Sequence, residues 1–233
     1  MRRPLFACLL AAIAASPAGA GAAASNAPAF AGSLDVTVRD ATGAPVEDAV
    51  IVAMPTSAAS PKPKGERPAE VIDQIDKEFV PAVKVVQTGA SLIFPNKDNI
   101  RHHVYSFSPA KKFELPLYKG VPAEAVVFDR PGVVILGCNI HDWMIGYLYV
   151  VDSPWFAKTG KDGSARLADL PAGEYDVEAF HPRAKDPAEP QHAKVTLGAA
   201  GGGPGPAGLA FEMALRAPAR STRPPRDGAG SYP

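Results

Sequence analysis

The chain has 233 residues, with 24 Lys plus Arg against 24 Asp plus Glu, 46% apolar residues and two cysteines. A balanced charge gives no electrostatic footprint for a nucleic-acid partner. Because Cys8 lies in a leader-like stretch, Cys138 would be alone in the mature chain, which excludes an intramolecular disulfide, a four-Cys zinc or iron–sulfur site and a two-Cys binuclear copper centre.

Met1-Arg2-Arg3 followed by an apolar run over 5–15 and small residues has the layout of a secretory signal peptide, read as 1–24, with Ala18-Gly19-Ala20 or Ala22-Ala23-Ala24 suited to cleavage. Cys8 stands too early, with too little apolar sequence before it, to be a lipoprotein cysteine. No later apolar run approaches the ~20 residues needed to span a bilayer. The mature protein is therefore expected to be soluble and periplasmic, and loss of Arg2 and Arg3 leaves 22 basic against 24 acidic residues, a formal charge of −2.

The remaining chain is long enough for two small β domains. Leu34-Asp35-Val36-Thr37-Val38 alternates apolar and polar residues, and Ala49-Val50-Ile51-Val52-Ala53 does so less cleanly after the turn Asp40-Ala41-Thr42-Gly43. Residues 57–69, rich in Pro, Lys, Ala and Ser, are predicted to be a linker. Strand-like text resumes at Val71 and recurs over 83–86, 91–94, 104–107, 125–128, 132–136 and 146–151, with no long helical period, so the predicted class is all-β. The segment 159–179 reads as turn, strand, Pro-Gly turn, strand, and 216–233, with four Arg among Pro, Gly, Ala and Ser, is expected to be a disordered tail.

The text over 159–179 resembles the second half of a transthyretin-like or carboxypeptidase-regulatory-like sandwich, and 34–55 resembles its first half. The resemblance implies a discontinuous Ig-like sandwich over 31–56 and 156–215, with 70–155 inserted in it or lying beside it. A shared pattern of this kind speaks for a fold and not for a function.

Chemistry concentrates in Gly137-Cys138-Asn139-Ile140-His141-Asp142-Trp143-Met144, where a thiolate, an imidazole and a thioether follow at Cys-x-x-His-x-x-Met spacing. A type 1 copper ion takes one thiolate, two imidazoles and a long axial thioether. The tight loop offers three of these four groups, and Asn96-Lys97-Asp98-Asn99-Ile100-Arg101-His102-His103-Val104 offers the fourth at the start of a strand. Taken singly, Met144 would pass for core filler, His141 for a loop histidine and Cys138 for an inert thiol. Their joint spacing favours copper, while a c-type haem is excluded because its attachment needs Cys-x-x-Cys-His.

With Phe79-Val80-Pro81, Val86-Gln87-Thr88-Gly89 through Asp98, His102-x-Val104 and Arg130-Pro131-Gly132 in the same order, the stretch 71–152 resembles the cupredoxins, and its short Cys loop resembles that of amicyanin. The whole chain resembles exported plastocyanin-like proteins labelled methylamine utilization proteins. The resemblance implies a cupredoxin Greek-key domain over 70–155 that holds copper through His102, Cys138, His141 and Met144. Two positions depart from the family: His103 stands where Asn usually ties the loops together, and Ile140 where Pro is usual between Cys and His. Alternation along a strand lets only one of His102 and His103 reach the metal; the motif favours His102 and leaves His103 as the tie.

His181 and His192 are read as packing or solvated residues rather than as a second metal site. Trp143 and Trp155 are read as covers over the site, and Asp142 as a solvated carboxylate. Four protein ligands leave no open position for substrate, so the expectation is a monomeric single-electron carrier, not an enzyme, serving redox proteins such as a cytochrome c or a dehydrogenase. The alternatives are a copper-delivery protein and an Ig-like binding module with an accessory copper site.

Overall fold

The computed structural model describes residues 30–57, 59–61, 67–187, 189–198 and 208–217. The segment 1–24 read as a leader, most of the expected tail over 216–233 and part of the predicted 57–69 linker lie outside the described residues. The described chain is all-β, and among the described residues there is no helix long and apolar enough to cross a membrane.

Among the described residues seventeen strands run in order: β1 Phe30–Asp40, β2 Val50–Pro55, β3 Glu70–Val71, β4 Asp73–Ile75, β5 Glu78–Val80, β6 Val83–Gln87, β7 Ala90–Ile93, β8 His102–Ser108, β9 Lys111–Tyr118, β10 Val126–Phe128, β11 Gly132–Cys138, β12 His141–Val151, β13 Phe156–Lys158, β14 Ser164–Pro171, β15 Gly173–Phe180, β16 Gln191–Leu197 and β17 Leu209–Met213. Four of the sheets form two sandwiches. In the first, the sheet β14-β1-β17 faces β13-β2-β15-β16. Leu34, Val36 and Val38 from β1 meet Ile51, Ala53, Val177 and Val195 from the facing sheet in one buried cluster. In the second, β10-β7-β3 faces β6-β12-β11-β8-β9, and Leu92, Phe94, Phe128, Val134, Leu136 and Leu148 fill the space between them.

The two sandwiches also touch. Val50, Val52 and Phe180 on the outer face of β2 and β15 pack against Val83 and Tyr149 on the outer face of β6 and β12, with the Tyr149 and Phe180 ring centroids 3.7 Å apart. Lys158 pins this contact, donating to Asp48 Oδ1 at 2.5 Å and to the Val83 carbonyl at 2.6 Å. Both central sheets are therefore covered on two faces. Such strands read as continuous apolar runs rather than alternating ones, which explains why 49–53 alternates poorly and why Leu148, Tyr149 and Val150 are all buried.

Leu34 pairs with Leu167 and Thr37 with Ser164, while Val52 pairs with Glu178 on one side and Phe156 on the other. The turn before β14 depends on Gly163, which has φ +73°, and a Cβ there would stand 2.5 Å from the Val38 carbonyl oxygen. That carbonyl also accepts from Val46 N at 3.0 Å. Gly163→Ala is expected to lower stability by about 2–3 kcal/mol through combined strain and overlap, read as a shifted midpoint with unchanged slope in urea unfolding.

Candidate metal centre

The site is built from two strand ends and one hairpin turn. Cys138 closes β11, and after the turn Asn139-Ile140 the chain re-enters the sheet at once, with Cys138 paired to His141. The next pair is Gly137 with Ile145, so β12 carries three extra residues, Asp142, Trp143 and Met144, opposite no partner. A bulge re-aims side chains that strict alternation would send to opposite faces. His141 and Met144 are buried, at 5% and 1% exposure, while Asp142 is exposed. Met144 packs in the same buried cluster as Cys138. The strand therefore starts at His141 rather than at Gly146, and the predicted loop is a two-residue turn plus a bulge.

His102 opens β8 and is fully buried. Its Nδ1 lies 3.8 Å from Cys138 Sγ, and His141 Nδ1 lies 3.7 Å from the same sulfur. The two imidazole rings stand edge to face with centroids 5.0 Å apart. A first-row metal with bonds of about 2.3 Å to sulfur and about 2.0 Å to nitrogen, roughly 120° apart, separates the two donors by about 3.7 Å. The two sulfur–nitrogen separations thus fit a copper ion.

The other ring nitrogen of His102 is held at 2.7 Å by Asp98 Oδ2. Asp98 is held in turn: its Oδ1 accepts from Asp76 N at 2.6 Å and its Oδ2 from Lys77 N at 2.8 Å. Asp76 and Lys77 are the two turn residues between β4 and β5, both at positive φ, the left-handed pair that a two-residue hairpin needs. Asn96 completes the brace by accepting from Asp98 N at 3.0 Å and donating to the carbonyls of Ile100 and Tyr118 at 2.8 Å. A partner on the far nitrogen fixes both tautomer and ring plane of a ligating histidine. Asp98→Ala is expected to weaken copper binding by about 10–100-fold, measured by competition with a chromophoric chelator.

The electrostatics favour the ligand forms at Cys138 and His141, while at His102 a metal would have to displace a proton. Burial alone would raise the Cys138 thiol, but His102 and the backbone N–H groups of His103 and Ile140 outweigh it and bring the thiol below its ordinary range. Burial likewise opposes charge on Asp98, yet its hydrogen bonds from His102, Lys77 and Asp76 hold the carboxyl below the usual range. His102 is raised despite its burial by its contacts with Cys138 and Asp98. His141 is lowered by burial and by the neighbouring charges of His102 and Lys77, a shift toward its neutral form. Thiolate and neutral imidazole are the forms that bind metals.

His102, Cys138, His141 and Met144 lie together in this buried centre. His103 points the other way: its Nε2 sits 3.0 Å from Glu114 Oε1, out of line for a hydrogen bond, and its ring packs on Tyr105. Its side chain therefore does not tie the ligand-bearing loops together. Trp143 lies beside His141 with centroids 5.1 Å apart. Trp155 does not cover the site. It belongs to the first sandwich, stacked edge-on against Tyr175 and donating to the Asp169 carbonyl at 3.0 Å. Sequence reasoning missed Asp98, for which the only signal is its position four residues before His102. It also missed Tyr105, whose ring occupies the space beside Gly137 so fully that a Cβ there would stand 2.7 Å from it.

No protein-family model matches the chain, nor does any curated protein. Among solved structures, it is similar to a copper-containing nitrite reductase from Thermus scotoductus SA-01, with 20% identity and a TM-score of 0.35 over 42% of this chain and 25% of that one. A purple cupredoxin from Nitrosopumilus maritimus is 21% identical, with a TM-score of 0.31 over 36% of this chain and 99% of the other. Reduced amicyanin carrying P94F is 21% identical, with a TM-score of 0.33 over 42% of this chain and 98% of its own.

Proposed function

We propose that the chain is an exported, monomeric carrier of single electrons that holds one copper ion through Cys138, His102, His141 and Met144, works in the periplasm and is not itself an enzyme. The observation that carries this reading is the buried trio in which one sulfur faces the Nδ1 atoms of two histidines at 3.7 and 3.8 Å, with a buried thioether three residues beyond the second. Copper, when bound, supplies a one-electron change of oxidation state.

The protein's own residues do the rest. Cys138 offers a thiolate held by two backbone N–H groups. His102, locked by Asp98, keeps its Nδ1 aimed at the sulfur. The sheet walls exclude water, since none of the four groups is more than 5% exposed. A site preorganised for both oxidation states needs little reorganisation, which suits electron transfer better than substrate binding. Partners would be small redox proteins, such as a cytochrome c or a dehydrogenase, that approach the His141 end of β12, where Ile140 is 46% exposed.

The test is a redox cycle on the copper-loaded protein. A visible band that bleaches with ascorbate and returns with ferricyanide, at constant copper content in the presence of a chelator, is expected. Loss of copper to the chelator on reduction would favour a delivery protein instead, and a protein that stays colourless with saturating copper(II) would overturn the type 1 assignment.

A further inference from the structure

A second cluster of metal-binding side chains lies in the first sandwich. Asp176 and Glu178, two apart on β15, share the outer face of their sheet, because Tyr175, Val177 and Ala179 point into the core. His192 on β16 pairs directly with Glu178. One ligand atom from each of the three lies within 4.8 Å of the others, and His192 Nδ1 is 3.1 Å from Asp176 Oδ2.

A plain ion pair between His192 and Asp176 accounts for only part of this arrangement. The second carboxylate oxygen, Asp176 Oδ1, is closed off from solvent and has no hydrogen-bond partner. The Asp176 side chain as a whole is 36% exposed, but an oxygen shut off from water without a donor carries a cost that a cation would offset. Among the described residues no Lys or Arg forms an ion pair with Asp176 or Glu178, and Lys194, directly across from Asp176, is exposed and pairs with neither. The two acids therefore share one weakly basic imidazole.

We propose that Asp176, Glu178 and His192 form a second metal site for a borderline divalent ion such as Zn2+, separate from the Cys138 centre, with water in its remaining positions. One imidazole and two carboxylates suit a late first-row ion, whereas Ca2+ and Mg2+ prefer oxygen alone. Bonds of about 2.0–2.1 Å in a tetrahedral site place ligand atoms about 3.4 Å apart. The 3.1 Å pair is close to this, and the remaining ligand atoms, within 4.8 Å of one another, would draw in through rotamer changes of both Glu178 and His192 as the ion binds. A metal here would clamp the edge strand β16 onto β15, beside the contact through which Val52 and Phe180 meet the second sandwich. This inference goes beyond the copper reading and does not rest on it.

The test is a Zn2+ titration of the full chain followed by the ring resonances of its histidines. The His192 signals are expected to shift and saturate at micromolar zinc, equally in the Cys138→Ala protein. Asp176→Asn is expected to weaken that transition at least about tenfold, since even the loss of an outer partner costs about 10–100-fold, while thermal melting of the metal-free protein stays the same. His192 signals that do not move when zinc is saturating would overturn the proposal, and so would an Asp176→Asn protein with an unchanged midpoint.

Discussion

Replacing Cys138 by alanine is expected to abolish the visible colour of the copper(II)-loaded protein completely, because the absorption of such a centre arises from the thiolate and no second sulfur anion can take its place. Met144, buried beside it, has only a neutral thioether to offer. The cavity left by the sulfur is small, so the variant should still fold, with a stability loss of about 1 kcal/mol in the metal-free state. An absorption spectrum and a urea melt of the same sample separate the two effects. A variant that keeps its colour would remove Cys138 from the site.

The second large effect separates two adjacent histidines. His102→Ala is expected to destroy the centre, lowering copper affinity by more than about 100-fold. The same change leaves Asp98 braced by Asp76 N, Lys77 N and Asn96 with nothing to accept from on its inner side. Asp98 is only partly buried and keeps its two backbone donors, so the metal-free variant should lose about 1–3 kcal/mol and melt early. His103→Ala changes a side chain on the opposite face of β8, where it meets Glu114 and Tyr105, and the colour should survive. If only His103→Ala bleached the protein, the register of β8 would be one residue wrong.

Much of the candidate centre is legible in the sequence because its three downstream candidate ligands are local. Cys138, His141 and Met144 are close along the chain, so their types and spacing can be read without knowing the fold. Asp98 is harder. Its role depends on the turn Asp76-Lys77, more than twenty residues upstream, offering two N–H groups at the right place, and no spacing rule expresses that. The all-β class follows from recurrent short apolar runs. Strand β9 escaped notice because it lies at the edge of its sheet, where lysines and Pro116 are tolerated and weaken the strand signal. The Asp176, Glu178 and His192 group could not be read from the sequence, where His192 passes for a packing or solvated residue, because its members are common polar residues brought together only by the register of β15 and β16.

The insertion of β3–β12 between two strands that lie side by side has a kinetic consequence. Val52 and Phe156 are paired neighbours in one sheet, yet about a hundred residues of chain separate them. Closing an unstructured loop of that length costs about 4 kcal/mol in chain entropy, and non-local pairing of this kind slows folding. The outer sandwich cannot gain its core contacts until that loop is closed. The inner one consists largely of hairpins and near neighbours, such as β11 with β12 and β8 with β9, and can form by itself. Once formed, it brings the two flanking segments together through β6 and β12, which lie parallel and adjacent. Refolding should therefore be sequential, with the ligand-bearing half acquiring protection from hydrogen exchange first and β1, β14 and β17 last. During synthesis, β1 and β2 would emerge first and wait longest for their partners, leaving Val36, Val38, Val50 and Ile51 exposed to aggregation through most of translation.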